Sequence, residues 1–124
     1  MRRIITTALA LATAGLVAAA VSFAAPQRAV TLKGSVGPGF TINLTKNGKK
    51  VRTLRPGTYR FVIADRSSAH NFVLEKEHGG RFERELTHVG AVGTKTVLVK
   101  LTRGTWKYYC EPHESVMFGR FTVR

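Results

Sequence analysis

Cys110, the only cysteine of the 124-residue chain, is followed closely by His113 and Met117 in the stretch YYCEPHESVMFG, residues 108–119. A thiolate, an imidazole and a thioether gathered in one short loop are ligand types that suit copper. Copper in such a setting takes two imidazoles and one thiolate in a roughly trigonal plane, with a weak axial sulfur. The loop provides one imidazole, so a second must come from elsewhere in the chain. His70 is the best placed of the remaining three, because SSAHNFVLE puts it at the start of a strand after a polar loop. His78 sits beside Gly79 and Gly80 in a charged stretch and His88 in a crossing segment, and both read as surface residues.

Other chemistries fit the same residues less well. One Cys and two His also suit zinc, although a methionine in the fourth position favours copper. A lone cysteine is often just a small buried hydrophobe. A Cys-His hydrolase needs an orienting third group and an oxyanion site, and no third member is evident, so an enzyme is not expected. A single cysteine cannot form an internal disulfide.

The elements that must position these groups read as strands. RAVTLKGSV, FTINLT, KKVRTL, RPGTYRFVIAD, HNFVLE, TKTVLVKL, TWKYYC and GRFTVR are short alternating runs separated by Gly, Pro or Asn. They predict an all-β chain, an antiparallel Greek-key sandwich or barrel of seven to eight strands. Asn47-Gly48 marks a tight turn, and Tyr59, Phe61 and Ile63 share one strand face. In TWKYYC, alternation sets Trp106, Tyr108 and Cys110 on one face and Lys107 and Tyr109 on the other. Pro112 stops that strand, leaving Glu111 to Phe118 as a loop at one pole. The charged segment 75–93 is the least strand-like and is expected to hold a short helix or a long crossing loop.

Residues 1–25 read as a signal peptide. MRR is a positive start, an uncharged apolar run follows, and small residues permit cleavage after Ala24 or Ala25. The alternative is a retained membrane anchor. Residues 26–124 then form a single exported domain, secreted, envelope-associated or periplasmic. The chain has 20 basic residues, two of them Arg2 and Arg3, against 7 acidic ones. So basic a domain is attracted to anionic surfaces, either an acidic protein partner or envelope polymers. No array of basic residues interleaved with exposed aromatics points to nucleic acid.

With these residues in place, the chain resembles the cupredoxins, the small blue copper proteins, and in particular the short exported plastocyanin-like domains of bacteria. VGPGFTINLT, LRPGTYRFVIAD, HNFVL and WKYYCEPHESVMFGRFTV come in the expected order, and the pairing of HNF with YCxPHxxxMxGxFxV is the specific part. The resemblance implies a type 1 copper ion held by His70, Cys110 and His113 in the equatorial plane, with Met117 axial. Three residues separate His113 from Met117, where the common loops of the family have two or four.

The resemblance also implies a single-electron carrier acting with a redox partner as a monomer; an extracytoplasmic copper carrier or store using the same ligands is the alternative. Asn71 is expected to hydrogen-bond across to the ligand loop. Phe72, Trp106, Tyr108, Phe118 and Phe121 are expected to keep the metal dry, and Val116 with Phe118 to form an apolar docking patch near His113. Glu111 and Glu114 add an acidic spot on that loop.

Overall fold

The computed structural model describes residues 20–124. The expected signal or anchor segment therefore lies mostly outside the described residues. Among those described, ten strands form: β1 (Val30–Val36), β2 (Ile42–Lys46), β3 (Lys49–Lys50), β4 (Thr53–Leu54), β5 (Gly57–Asp65), β6 (Phe72–His78), β7 (Glu83–Thr87), β8 (Gly93–Leu101), β9 (Gly104–Tyr109) and β10 (Phe118–Val123). One 3₁₀ turn, Glu111–His113, joins the last two.

The strands make two five-stranded sheets, ordered β3-β2-β1-β5-β8 and β4-β10-β9-β6-β7. The β-sandwich class is as expected, but three details differ. The run KKVRTL is two short strands, β3 and β4, and the chain changes sheets between them. The pairing is mixed, because β1 runs parallel to β5 and β4 parallel to β10. Third, the charged segment after Leu74 is neither helix nor long loop. Strand β6 continues to His78, Gly79 and Gly80 turn with positive φ of 91° and 137°, and β7 returns beside β6. Its charges escaped strand recognition because β7 is the edge of its sheet, where polar side chains meet solvent.

Alternation explains the core. Leu32 and Val36 of β1, Tyr59, Phe61 and Ile63 of β5, and Val97, Val99 and Leu101 of β8 all point inward and are buried. All but Val36, which lies apart toward one pole, meet Phe72, Leu74, Trp106, Tyr108, Phe121 and Val123 from the second sheet. Burying a large apolar side chain of this kind contributes about 1.5–3 kcal/mol, so this packing fixes the separation of the sheets. Asn47 and Gly48 take positive φ of 50° and 77°, as the tight β2–β3 turn requires. The strands thus deliver Val36, the residues after Asp65 and the β9–β10 connection to one pole.

Candidate metal centre

Cys110 follows the last residue of β9, and its side chain continues the inward row of Trp106 and Tyr108; it is fully buried. Unlike the main core, its surroundings are a small separate cluster of Val36, Met117 and the partly buried Ile42. The outward row of β9 is buried as well. Tyr109 donates through its hydroxyl to Glu83 at 2.7 Å. Burial and that carboxylate both push its phenol well above the usual tyrosine range.

After Cys110 the chain makes two successive turns. The N–H of His113 donates to the Cys110 carbonyl at 3.1 Å, and the N–H of Met117 to the His113 carbonyl at 2.9 Å. Pro112 fits the first turn, since no donor is needed there. With about three residues per turn, side chains at i and i+3 of a 3₁₀ segment project together. Cys110 and His113 therefore share one side. The three residues between His113 and Met117 form the second turn and return the chain to β10 with Met117 wholly buried.

His70 arrives from a differently built loop. Asp65 accepts from the N–H of Ser67 at 3.2 Å, Ser67 Oγ accepts from the N–H of Ala69 at 3.2 Å, and Thr87 Oγ1 accepts from the N–H of Phe72 at 3.0 Å. These bonds clamp the backbone on both sides of His70, whose side chain is 5% exposed.

The result is a convergence of three donor atoms. His70 Nδ1 and His113 Nδ1 are 3.0 Å apart, and each lies 3.6 Å from Cys110 Sγ. A first-row ion bonded at roughly 2.0 Å to nitrogen and 2.3 Å to sulfur in a trigonal plane would space these atoms at about 3.5–3.7 Å. Both Nδ1–Sγ separations match, while the shorter Nδ1–Nδ1 separation corresponds to an N–metal–N angle of roughly 100° rather than 120°. The residues therefore fit a single ion with two imidazoles and one thiolate in a somewhat distorted plane. Among the described residues no other group of three or more His, Cys, Asp or Glu side chains has this arrangement. His78 and His88 are exposed, and His88 faces Glu85 at 3.0 Å.

Asn71 joins the two ligand-bearing segments. It is fully buried, its Oδ1 accepts from the N–H of Glu111 at 2.8 Å, and its Nδ2 donates to Glu85 at 3.1 Å and to Glu111 at 3.4 Å. The bond from Asn71, helped by His88, holds the Glu85 carboxyl below its ordinary range. A second brace comes from Lys107, a buried lysine on the outer face of β9. Its ammonium pairs with Glu114, next to His113, and lies 3.8 Å from Glu75 and 4.8 Å above the Tyr109 ring.

The expected dry shell is only partly as anticipated. Phe72 and Tyr108 stack near the site, 5.6 Å apart and 8° from parallel. Trp106 lies four residues up the strand, roughly 13 Å from Cys110, and pairs with Phe121 in the main core. Phe118 is 43% exposed on the outer face, between Lys107 and Arg120, because the alternation of β10 turns it away from the core.

Phe40, missed in the sequence, caps the pole instead. It is 65% exposed, and its ring lies 4.9 Å from that of His113 and 5.7 Å from that of His70. Its one sequence signal was position, directly after the Gly37–Gly39 turn at the end of a strand that leads to the pole.

A two-sheet β-sandwich with one thiol and two imidazoles converging at a pole defines the architecture of a small single-ion protein. Residues 35–124 match the sequence profile of the copper binding proteins, plastocyanin/azurin family. Among solved structures, the chain is similar to reduced rusticyanin, with 21% identity, TM-score 0.56, and 81% of this chain and 82% of that chain covered. It is similar also to dithionite-reduced auracyanin from the photosynthetic bacterium Roseiflexus castenholzii, with 19% identity, TM-score 0.58, and 79% of this chain and 99% of that chain covered. No curated protein matches the chain. The chain belongs to the plastocyanin/azurin family of copper-binding proteins, the cupredoxins, and its cofactor is copper.

Proposed function

We propose that this protein is an exported single-electron carrier, with residues 26–124 as its working domain and His70, Cys110, His113 and Met117 holding one copper ion. The observation that carries this reading is the convergence of two Nδ1 atoms and one Sγ from clamped segments, within 4.8 Å of one another. Bound there, copper supplies a one-electron Cu(I)/Cu(II) couple. The chain's own part is to keep the donor atoms nearly still. Cys110 sits at the end of a paired strand, His113 on a hydrogen-bonded turn, and His70 between two backbone clamps. Ligation requires Cys110 to lose its proton and both Nδ1 atoms to be free of theirs.

His113 is the most exposed of the three residues, so electrons would enter and leave at the pole beside Phe40 and Val116. The surplus of basic residues supplies a field that attracts an acidic redox partner to the molecule.

The test is an optical and electron paramagnetic resonance spectrum of the purified protein with Cu(II), followed by voltammetry. The expected result is an intense thiolate-to-copper absorption, lost in Cys110→Ser, and a reversible one-electron wave. A colourless tight zinc complex with no copper chromophore would sink the metal assignment. Failure to cycle, with ready copper release to an acceptor, would instead assign copper carriage.

A further inference from the structure

The charges of this protein are sorted by sheet. All six glutamates, Glu75, Glu77, Glu83, Glu85, Glu111 and Glu114, lie on β6, β7 or the ligand loop, all belonging to the second sheet. Most are engaged there by Lys107, Arg120, His88 or the Tyr109 hydroxyl. Asp65, the remaining acid, is buried at the end of β5. Among the described residues, no salt bridge involves a side chain of the first sheet. The outer face of that sheet is thus basic and unneutralised.

The strand register arranges these charges in a line. Lys33 on β1 is level with Val62 on β5, and Arg60 stands two residues before Val62 on the same face. Arg60 is level with Leu98 on β8, and Lys100 stands two residues after Leu98, opposite Thr58. On the other side, Lys33 faces Thr45, which faces Lys50 on β3. The inward neighbours of these cations are buried, so Lys33, Arg60 and Lys100 all face out. With strands about 4.8 Å apart and a rise of about 3.3 Å per residue, each diagonal step is roughly 8 Å, and the two-strand step to Lys50 roughly 10 Å.

Lys33, Arg60 and Lys100 therefore form a diagonal row over β1, β5 and β8, and Lys50 on β3 extends it level with Lys33 across β2. Residues 26–30 wall a groove of about 660 Å³ over Thr58, Arg60 and Leu98, and add Arg28 beside the row.

We infer that this row is a docking surface for a linear phosphate-bearing polyanion laid across the first sheet. A row of evenly spaced, unpaired cations matches an extended chain of phosphates, and lysine serves phosphate as a point charge. Threonines 31, 58 and 96 lie on the same face and offer hydroxyl donors beside the cations. The row runs away from the metal pole, so a bound polymer leaves Phe40 and His113 open to a partner. This inference is independent of the electron-carrier reading.

The test measures binding of long-chain inorganic polyphosphate to the copper-loaded protein over a range of salt concentrations. The triple variant Lys33→Gln, Arg60→Gln, Lys100→Gln is compared with Arg81→Gln, Arg84→Gln, Arg124→Gln, which removes the same charge from exposed positions off this face. The first is expected to weaken binding about tenfold and to flatten the slope of log affinity against log salt by roughly 2, while the second has a much smaller effect. Each single substitution should flatten the slope by about 0.7, which preserves the test if the triple variant folds poorly.

Equal losses in the two triple variants would reduce the effect to net charge and overturn the inference. Tighter binding to phosphatidylglycerol vesicles than to polyphosphate, lost in the first triple variant, would assign the face to a lipid surface and overturn it as well.

Discussion

The backbone N–H of Cys110 donates to the carbonyl of Met117 at 3.0 Å, so the proposed thiolate and the proposed axial thioether are the last facing pair of the β9–β10 hairpin. Tyr109 and Phe118 are the next pair outward. The three-residue spacer after His113 does not displace Met117, because it closes as a turn bonded from Met117 N–H to His113 O. Met117 therefore packs against Cys110 and Val36 in the small cluster at the pole.

Replacing Met117 by Leu separates packing from ligation. The two side chains have similar volume, and such swaps in a core cost less than about 1.5 kcal/mol. The variant should fold and bind copper, while its absorption spectrum and reduction potential shift away from those of the parent. An unchanged spectrum and potential would leave Met117 as core packing only.

Asn71→Ala removes the link between the His70 segment and the ligand loop. The Glu111 N–H loses its acceptor, and at this partly buried position the lost bond costs about 0.5–1.5 kcal/mol. The melting temperature of the metal-free protein should fall, and copper should pass faster to a competing chelator. A fall in stability with no change in copper release would confine Asn71 to the fold.

The residues legible in the sequence were those whose chemistry and spacing are local. Cys110, Pro112, His113 and Met117 occupy one loop, and His70 could be tied to them because HNF begins a strand. What was not legible depends on contacts distant in sequence. Phe40 reaches His113 only because β1 and β9 end at the same pole. Lys107 looked like an ordinary solvent-facing strand residue, and its burial arises from neighbours on β6, β10 and the ligand loop. The parallel pairing of β1 with β5 is likewise set by the crossover between sheets. The strand β7 was hidden because an edge strand carries charge where an interior strand would carry apolar residues.

Gly119→Ala tests the packing behind the site. A Cβ at Gly119 would run into the hydroxyl and ring of Tyr108, its partner across the hairpin. Tyr108 is buried, and that burial raises its phenol above the ordinary range. The ring cannot move freely, because it is stacked on Phe72. Overpacking of this kind costs about 1–3 kcal/mol, which thermal unfolding should show as a drop of several degrees, with a changed near-ultraviolet circular dichroism spectrum. An unaltered melting temperature would mean that the ring has room to shift.

Acid should weaken one specific tie. Arg120 donates to Glu77 at 2.8 and 3.1 Å, and that bond holds the Glu77 carboxyl below the ordinary value of 4.5. A depressed folded-state value means that the stabilisation is present above about pH 4.5 and is lost as pH falls through the lower folded value. Glu77→Gln should therefore lower the melting temperature slightly at neutral pH, and the difference from the parent should vanish in strong acid. A difference that persists unchanged below pH 3 would point to packing rather than charge.

Lys107→Met tests whether the outer face of the second sheet steadies the ligand loop. The lysine side chain is 8% exposed, whereas its partner Glu114 is 50% exposed. Removing the ammonium leaves Glu114 free to turn into water, Glu75 at 26% exposure keeps solvent access as well, and methionine refills the space beside Tyr109 and Phe118. An ion pair whose acid is this exposed contributes only about 0–1 kcal/mol. The metal-free protein should consequently melt within a few degrees of the parent. The loop, by contrast, loses the contact beside His113, so copper should leave several-fold faster and the linewidth of its paramagnetic resonance should broaden. If copper release and the resonance stay as in the parent while stability falls, Lys107 supports the sheet and not the site.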